Sequence, residues 1–97
     1  MKKEWEQVGI VGVDAGLMWL GDPCYIMGKD ASEQPAQTWE EFCSKIETMR
    51  DAQQFNYKMG HAGLGVVVSN FGGDGNFPVF IKKGDDGLVK EVKIVFN

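Results

Sequence analysis

Phe77-Pro78-Val79-Phe80-Ile81-Lys82-Lys83-Gly84-Asp85-Asp86-Gly87-Leu88-Val89-Lys90-Glu91-Val92-Lys93-Ile94-Val95-Phe96 decides the fold. Side chains alternate between the two faces of a strand, so a strand with one covered face reads apolar at every second position. Phe77, Val79 and Ile81 fall on one face of such a strand. Val92, Ile94 and Phe96 alternate in the same way against Glu91, Lys93 and Val95. Gly84-Asp85-Asp86-Gly87 between them is turn chemistry, so the stretch predicts a hairpin of Phe77–Lys83 with Leu88–Phe96. Pro78 has no amide to give a ladder and predicts a sheet edge or a strand start.

The same pattern extends toward the N-terminus. Leu64 to Asn70, built on Val66-Val67-Val68, predicts a strand, and Gly72-Gly73-Asp74-Gly75-Asn76 a turn, making the last third a three-stranded meander. Val8-Gly9-Ile10-Val11-Gly12-Val13 predicts a first strand, Asp14-Ala15-Gly16 a tight hairpin turn, and Leu17–Leu20 a second short strand. Gly21-Asp22-Pro23 ends it, and Tyr25-Ile26-Met27 reads as resumed extended structure before a polar loop over 28–37. Thirteen glycines spread between apolar runs fit many short strands joined by tight turns.

One helix is expected. Thr38-Trp39-Glu40-Glu41 matches a capping box, in which the Thr38 hydroxyl and the Glu41 carboxylate each satisfy the other's exposed amide. Trp39, Phe42, Cys43, Ile46 and Met49 follow at helical spacing, and Glu41 to Lys45 is a favourable pair four residues apart. The helix is placed at about 39–51 with Trp39 in the core. Residues 52–63 carry no clear period. The resulting class is α+β: a small antiparallel sheet or open barrel in the order ββ-α-βββ, with one helix packed on it and 1–97 as a single domain.

Composition narrows the function. Ten basic and 14 acidic side chains leave a net charge of −4, and the nearest thing to a basic cluster is Lys82-Lys83. Nucleic-acid binding rests on clustered Lys and Arg that release counterions, so no nucleic-acid partner is expected. No apolar run approaches the roughly 18 residues of a spanning helix, and no signal-peptide core follows Lys2-Lys3, so no membrane partner and a cytoplasmic setting are expected. Cys24 and Cys43 then read as two reduced thiols.

Sites for chemistry are sparse. Cys24, in the Gly21–Tyr25 turn, could pair with His61, the sole histidine, with Asp22 as orienter; a small packing cysteine is the simpler reading. Two distant cysteines and one histidine make no zinc motif, and the aspartates near Asp74-Gly75-Asn76 and Asp85-Asp86 read as turn formers rather than cation ligands. Neither Gly60-His61-Ala62-Gly63-Leu64-Gly65 nor Gly9-Ile10-Val11-Gly12 has the spacing of a phosphate loop. Gly63 and Gly65 instead suggest close approach of a neighbouring backbone. Around Lys58 and His61, however, Tyr57 and Phe55 add aromatic faces, a combination able to hold a nucleotide-like anion. The competing reading is a surface loop with its aromatics turned inward. Trp19 alternates with Met18 and Leu20, so one side of that strand must face something other than the main core or be covered by the helix. Trp5, ahead of the first strand, is a candidate exposed contact.

At Val13-Asp14-Ala15-Gly16 through Gly21-Asp22-Pro23-Cys24-Tyr25-Ile26, and again at Gly73-Asp74-Gly75-Asn76-Phe77-Pro78-Val79, the chain resembles a group of small bacterial and phage proteins. They share a VDAG…GDPCY opening and a GDG-x-[FY]-P-V turn. The resemblance implies that Asp14, Asp22, Tyr25 and Asp74 belong to motifs rather than to arbitrary turns, and it carries over no catalytic residue and no cofactor. Two readings stand ahead of an enzyme using Cys24. The first is a non-enzymatic protein that sequesters a small anionic or nucleotide-like ligand through Asp22, Tyr25, Tyr57, Lys58, His61 and Asp74, with the interface of a homo-oligomer as one setting. The second is a protein–protein interaction or inhibitor module using a β-edge and exposed aromatics.

Overall fold

The computed structural model describes residues 4–27, 34–56 and 63–96. In chain order the elements are β1 (Glu6–Val13), β2 (Met18–Gly21), α1 (Cys24–Met27), α2 (Trp39–Lys45), β3 (Ala52–Phe55), β4 (Gly65–Val68), β5 (Gly75–Lys83) and β6 (Val89–Ile94). They form two three-stranded antiparallel sheets, β1-β5-β6 and β2-β4-β3, and neither closes into a barrel. The α+β class holds. The expected order does not, because a second short helix and the strand β3 are added to it.

The chain divides into two compact units, Met1–Gly16 with Phe71–Asn97, and Leu17–Asn70. Each contains one sheet. This division corrects two pairings: Asp14-Ala15-Gly16 joins strands of different sheets rather than closing a hairpin, and β4 pairs with β2 and β3 rather than opening a meander with β5. Adjacent strands usually pair, but the burial demanded by the side chains outweighs adjacency here. Val66-Val67-Val68 lies in the central strand of its sheet, with Val67 only 1% exposed and Val66 and Val68, on the other face, half-buried.

In the Leu17–Asn70 unit, Ile46, Phe55, Leu64 and Val67 form the buried cluster, with Leu17, Trp19, Tyr25, Phe42 and Met49 packed against it. One half of the expected capping box opens α2: Thr38 Oγ1 accepts from the Glu41 amide at 3.0 Å. The Glu41 carboxylate accepts instead from the amide one residue ahead of Thr38, that of Gln37, at 3.0 Å and pairs with Lys45 at 3.3 Å. The helix stops at Lys45, well short of the expected end near residue 51. Tighter turns carry the chain on, Ile46 N–H to Cys43 O and Met49 N–H to Ile46 O. By Asp51 the backbone belongs to the sheet, its carbonyl accepting from Ser69 N–H at 2.8 Å. Ser69 Oγ and Asn70 Nδ2 add bonds to Arg50 O and Asp51 Oδ1. β3 has no apolar period because only Phe55 of Ala-Gln-Gln-Phe turns into the core. Trp39 is 56% exposed, which corrects its placement in the core. It lies stacked on Phe42 instead, at 5.9 Å.

The other unit is built on β5, with β1 and β6 as its edges. Phe71, Phe77 and Phe96 cluster beside it, with ring centroids 4.2–5.5 Å apart. The β5–β6 hairpin forms as expected. Gly84 N–H bonds Leu88 O, Gly87 takes a φ of 80° that a side chain would resist, and Asp86 accepts from Leu88 N–H and pairs with Lys90 at 2.9 Å. Pro78 sits inside the central strand, correcting the edge expectation. Its missing amide faces β6 at the point where the ladder ends: Val79 pairs with Ile94, the last residue of β6, and beyond it Val95 N–H still donates to Pro78 O. Only the reciprocal bond is lost.

Candidate functional site

Two of the motif residues lie at the start of α1. Asp22 caps this turn: its carboxylate accepts from the Cys24 amide at 3.0 Å and from the Cys24 thiol. Those bonds, the amide first, hold the Asp22 carboxyl below its ordinary range. Tyr25-Ile26-Met27, read as extended, is helical, because Pro23 O collects the Ile26 and Met27 amides. Tyr25 packs against the buried cluster of its unit, so its ring serves the core. Cys24 is exposed and makes no disulfide with Cys43. A carboxylate beside a thiol disfavours the thiolate, which opposes the nucleophile reading of Cys24.

Asp74 is exposed in the 71–74 loop of the other unit. Tyr57, Lys58 and His61, with Gly60 and Ala62, lie outside the described residues. Of the two glycines expected to admit a neighbouring backbone, Gly63 has nothing within 4 Å of a Cβ position and takes a φ of 107° instead. Gly65 is covered chiefly by the Trp19 indole, which in turn meets Phe42 of α2 at 5.9 Å. Among the described residues no three His, Cys, Asp or Glu side chains gather as a metal site, and no helix is long and apolar enough to cross a membrane.

Cations and aromatic faces come together elsewhere. Trp5, half-buried rather than exposed, lies beside the β1-β5-β6 sheet. Lys93 Nζ is 4.2 Å from its ring centroid and 5.3 Å from that of Phe80, while Lys82 Nζ is 5.7 Å from Trp5. Phe80 and Lys93 are cross-strand partners, and so are Lys82 and Glu91. Two-residue periodicity therefore sets Phe80, Lys82, Glu91 and Lys93 on one face of the sheet. Lys82 stands out in the sequence as half of a basic pair. Trp5 and Phe80 do not stand out as its companions, because only the folded sheet brings them to the same face.

The second feature is the outer edge of β6. Among the described residues no strand pairs with it, and Leu88, Val89 and Val92 are exposed along it, Val92 by 62%. The other edges are poorer templates. β2 and β3 have four residues each, and β1 carries a bulge at Val8 together with Gly9 and Gly12; β6 has its own register shift at Lys90, which leaves Glu91–Ile94 regular. No family model, curated protein or solved structure matches the chain.

Proposed function

We propose that this protein is a small non-enzymatic binding module, working in a cytoplasmic setting, whose contact element is the open edge of β6. The observation that carries the reading is a six-residue edge strand without Gly or Pro, preceded by exposed Leu88, opening on exposed Val89 and centred near exposed Val92. Unpaired amides and carbonyls along such an edge accept another strand, and alternate side chains then select it. Affinity purification from one extract with wild type and Val92→Pro tests this. Proteins retained by wild type alone are expected, since Pro78 shows that one proline removes one ladder donor. Identical sets on both baits, from an extract that also contains this chain, contradict the reading.

A second reading has its own observation. The Trp5, Phe80, Lys82 and Lys93 face combines aromatic rings with two ammonium groups, the chemistry of a small anionic, nucleotide-like ligand. Thermal shift against nucleotides and cyclic dinucleotides tests it: a ligand at roughly a hundred times its Kd adds about 2.7 kcal/mol. No stabilisation at millimolar ligand contradicts it.

A further inference from the structure

We propose that the occupant of the β6 edge is β6 of a second copy of this chain, paired antiparallel about a two-fold axis at Val92; this rests on the edge reading above and names its partner. Val95 N–H donates inward to Pro78 O. Backbone direction alternates along a strand, so Lys93 and Glu91 also bond toward β5, while Val92 and Ile94 present their amides and carbonyls to the outside. Register is regular over Glu91–Ile94 and breaks only beyond Lys82, where Lys83 meets Val89.

A two-fold pairing places one residue opposite its own copy, and charge decides which. Centres at Lys90, Glu91 or Lys93 set like charges directly opposite, which is destabilising. A centre at Ile94 leaves Lys93 facing Val95 and shortens the overlap. A centre at Val92 sets Val92 against Val92, as a pair with both backbone bonds made, and Glu91 against Lys93 of the other copy twice over. Lys90 and Val89 lie toward Ile94 and Val95 of the other copy, beyond the register shift at Lys90, so the regular pairs are those of Glu91–Lys93. The segment Leu88-Val89-Lys90-Glu91-Val92-Lys93-Ile94-Val95-Phe96 is thus close to a complementary palindrome about its middle residue. Two three-stranded sheets become one of six strands, and the open edge disappears.

Sedimentation equilibrium of wild type, Glu91→Lys, Lys93→Glu and an equal mixture of the two variants at low ionic strength tests the register. Wild type is expected to associate to twice its 10.8 kDa. Each reversal sets like charges opposite twice, so each is expected to weaken association by about tenfold or more. The mixture is expected to recover a heterodimer. One variant then carries lysine at both positions and the other glutamate at both, so opposite charges meet at both symmetry-related places. A monomeric wild type, or variants that self-associate as well as wild type, overturns the proposal, as does a mixture folded by circular dichroism that stays monomeric. If the reversals fail to fold, Val92→Pro replaces them, and unchanged association in it overturns the pairing. A monomeric wild type whose purification still depends on Val92 overturns the self-pairing and leaves the edge reading standing with another partner; loss of both removes it.

Discussion

The indole of Trp19 lies flat against the backbone of Gly65. A Cβ on Gly65 would overlap Cζ2 of that ring and come within 2.8 Å of Leu20 O, and one on Gly21 would lie 2.8 Å from the indole Nε1. Gly21 and Gly65 are cross-strand partners, so a paired gap in the β2–β4 surface is filled by one large side chain from two residues away. The indole N–H is buried there with no acceptor among the described residues, an opposing cost that the apolar contacts with Phe42 and Phe55 offset.

Gly65→Ala should therefore destabilise the fold by about 1–3 kcal/mol through overpacking, well beyond the effect of an alanine on an open strand. Trp19→Leu should cost stability alone but remove much of the alanine's penalty in the double variant. Chemical denaturation of the four proteins measures the coupling, expected at about 1 kcal/mol or more. Additive effects would mean that the indole does not occupy the gap.

Phe55 and Trp39 mark the two ends of an aromatic series running through Phe42. Phe55 is buried at the centre, so Phe55→Ala should cost about 3–5 kcal/mol. Trp39→Ala, at an exposed site, should cost less than about 1.5 kcal/mol, the worth of a stacked pair. Equal losses in denaturant midpoint would contradict this ordering.

The β5–β6 hairpin and the start of α2 were legible in the sequence because each is specified locally: alternation and a glycine turn for one, Thr38 and Glu41 for the other. Where pairing depends on distant residues, local pattern failed. Nothing near Val66-Val67-Val68 says that it pairs with Met18–Gly21, and Trp39 has core spacing but sits on the turn of α2 that the core does not reach. Of the candidate site, Asp22 was legible as a turn residue. The Trp5–Phe80–Lys93 face was not, since Trp5 and its companions stand at opposite ends of the chain.

Acid should act on two carboxylates. Asp86, held low first by Lys90 and then by the Leu88 amide, and Asp22, held low by the Cys24 amide, both favour the charged form in the folded chain. With the folded pKa below the unfolded one, the stabilisation is present above the ordinary Asp value of about 3.9 and is lost as pH falls through the lowered folded value. Carboxyl NMR titration should place both midpoints below about 3.9. Midpoints at or above it would contradict the bonding described.

The Cys24 thiol should alkylate with iodoacetamide at neutral pH no faster than a free thiol, and Asp22→Ala should speed it by removing the adjacent carboxylate. Faster labelling in wild type than in the variant would reverse the reading and return Cys24 to consideration as a nucleophile.

Cross-linking in a Cys24→Ser/Cys43→Ser background tests the β6 pairing most directly. About a two-fold axis at Val92, the two Val92 Cα atoms lie about 5.5 Å apart, within disulfide reach. The two Ile94 positions are displaced along the strands and lie roughly 14 Å apart on the same face, beyond that reach. Under mild oxidation Val92→Cys is expected to give a covalent dimer rapidly and Ile94→Cys is expected to remain single; equal rates, or faster linkage at Ile94, would contradict the pairing.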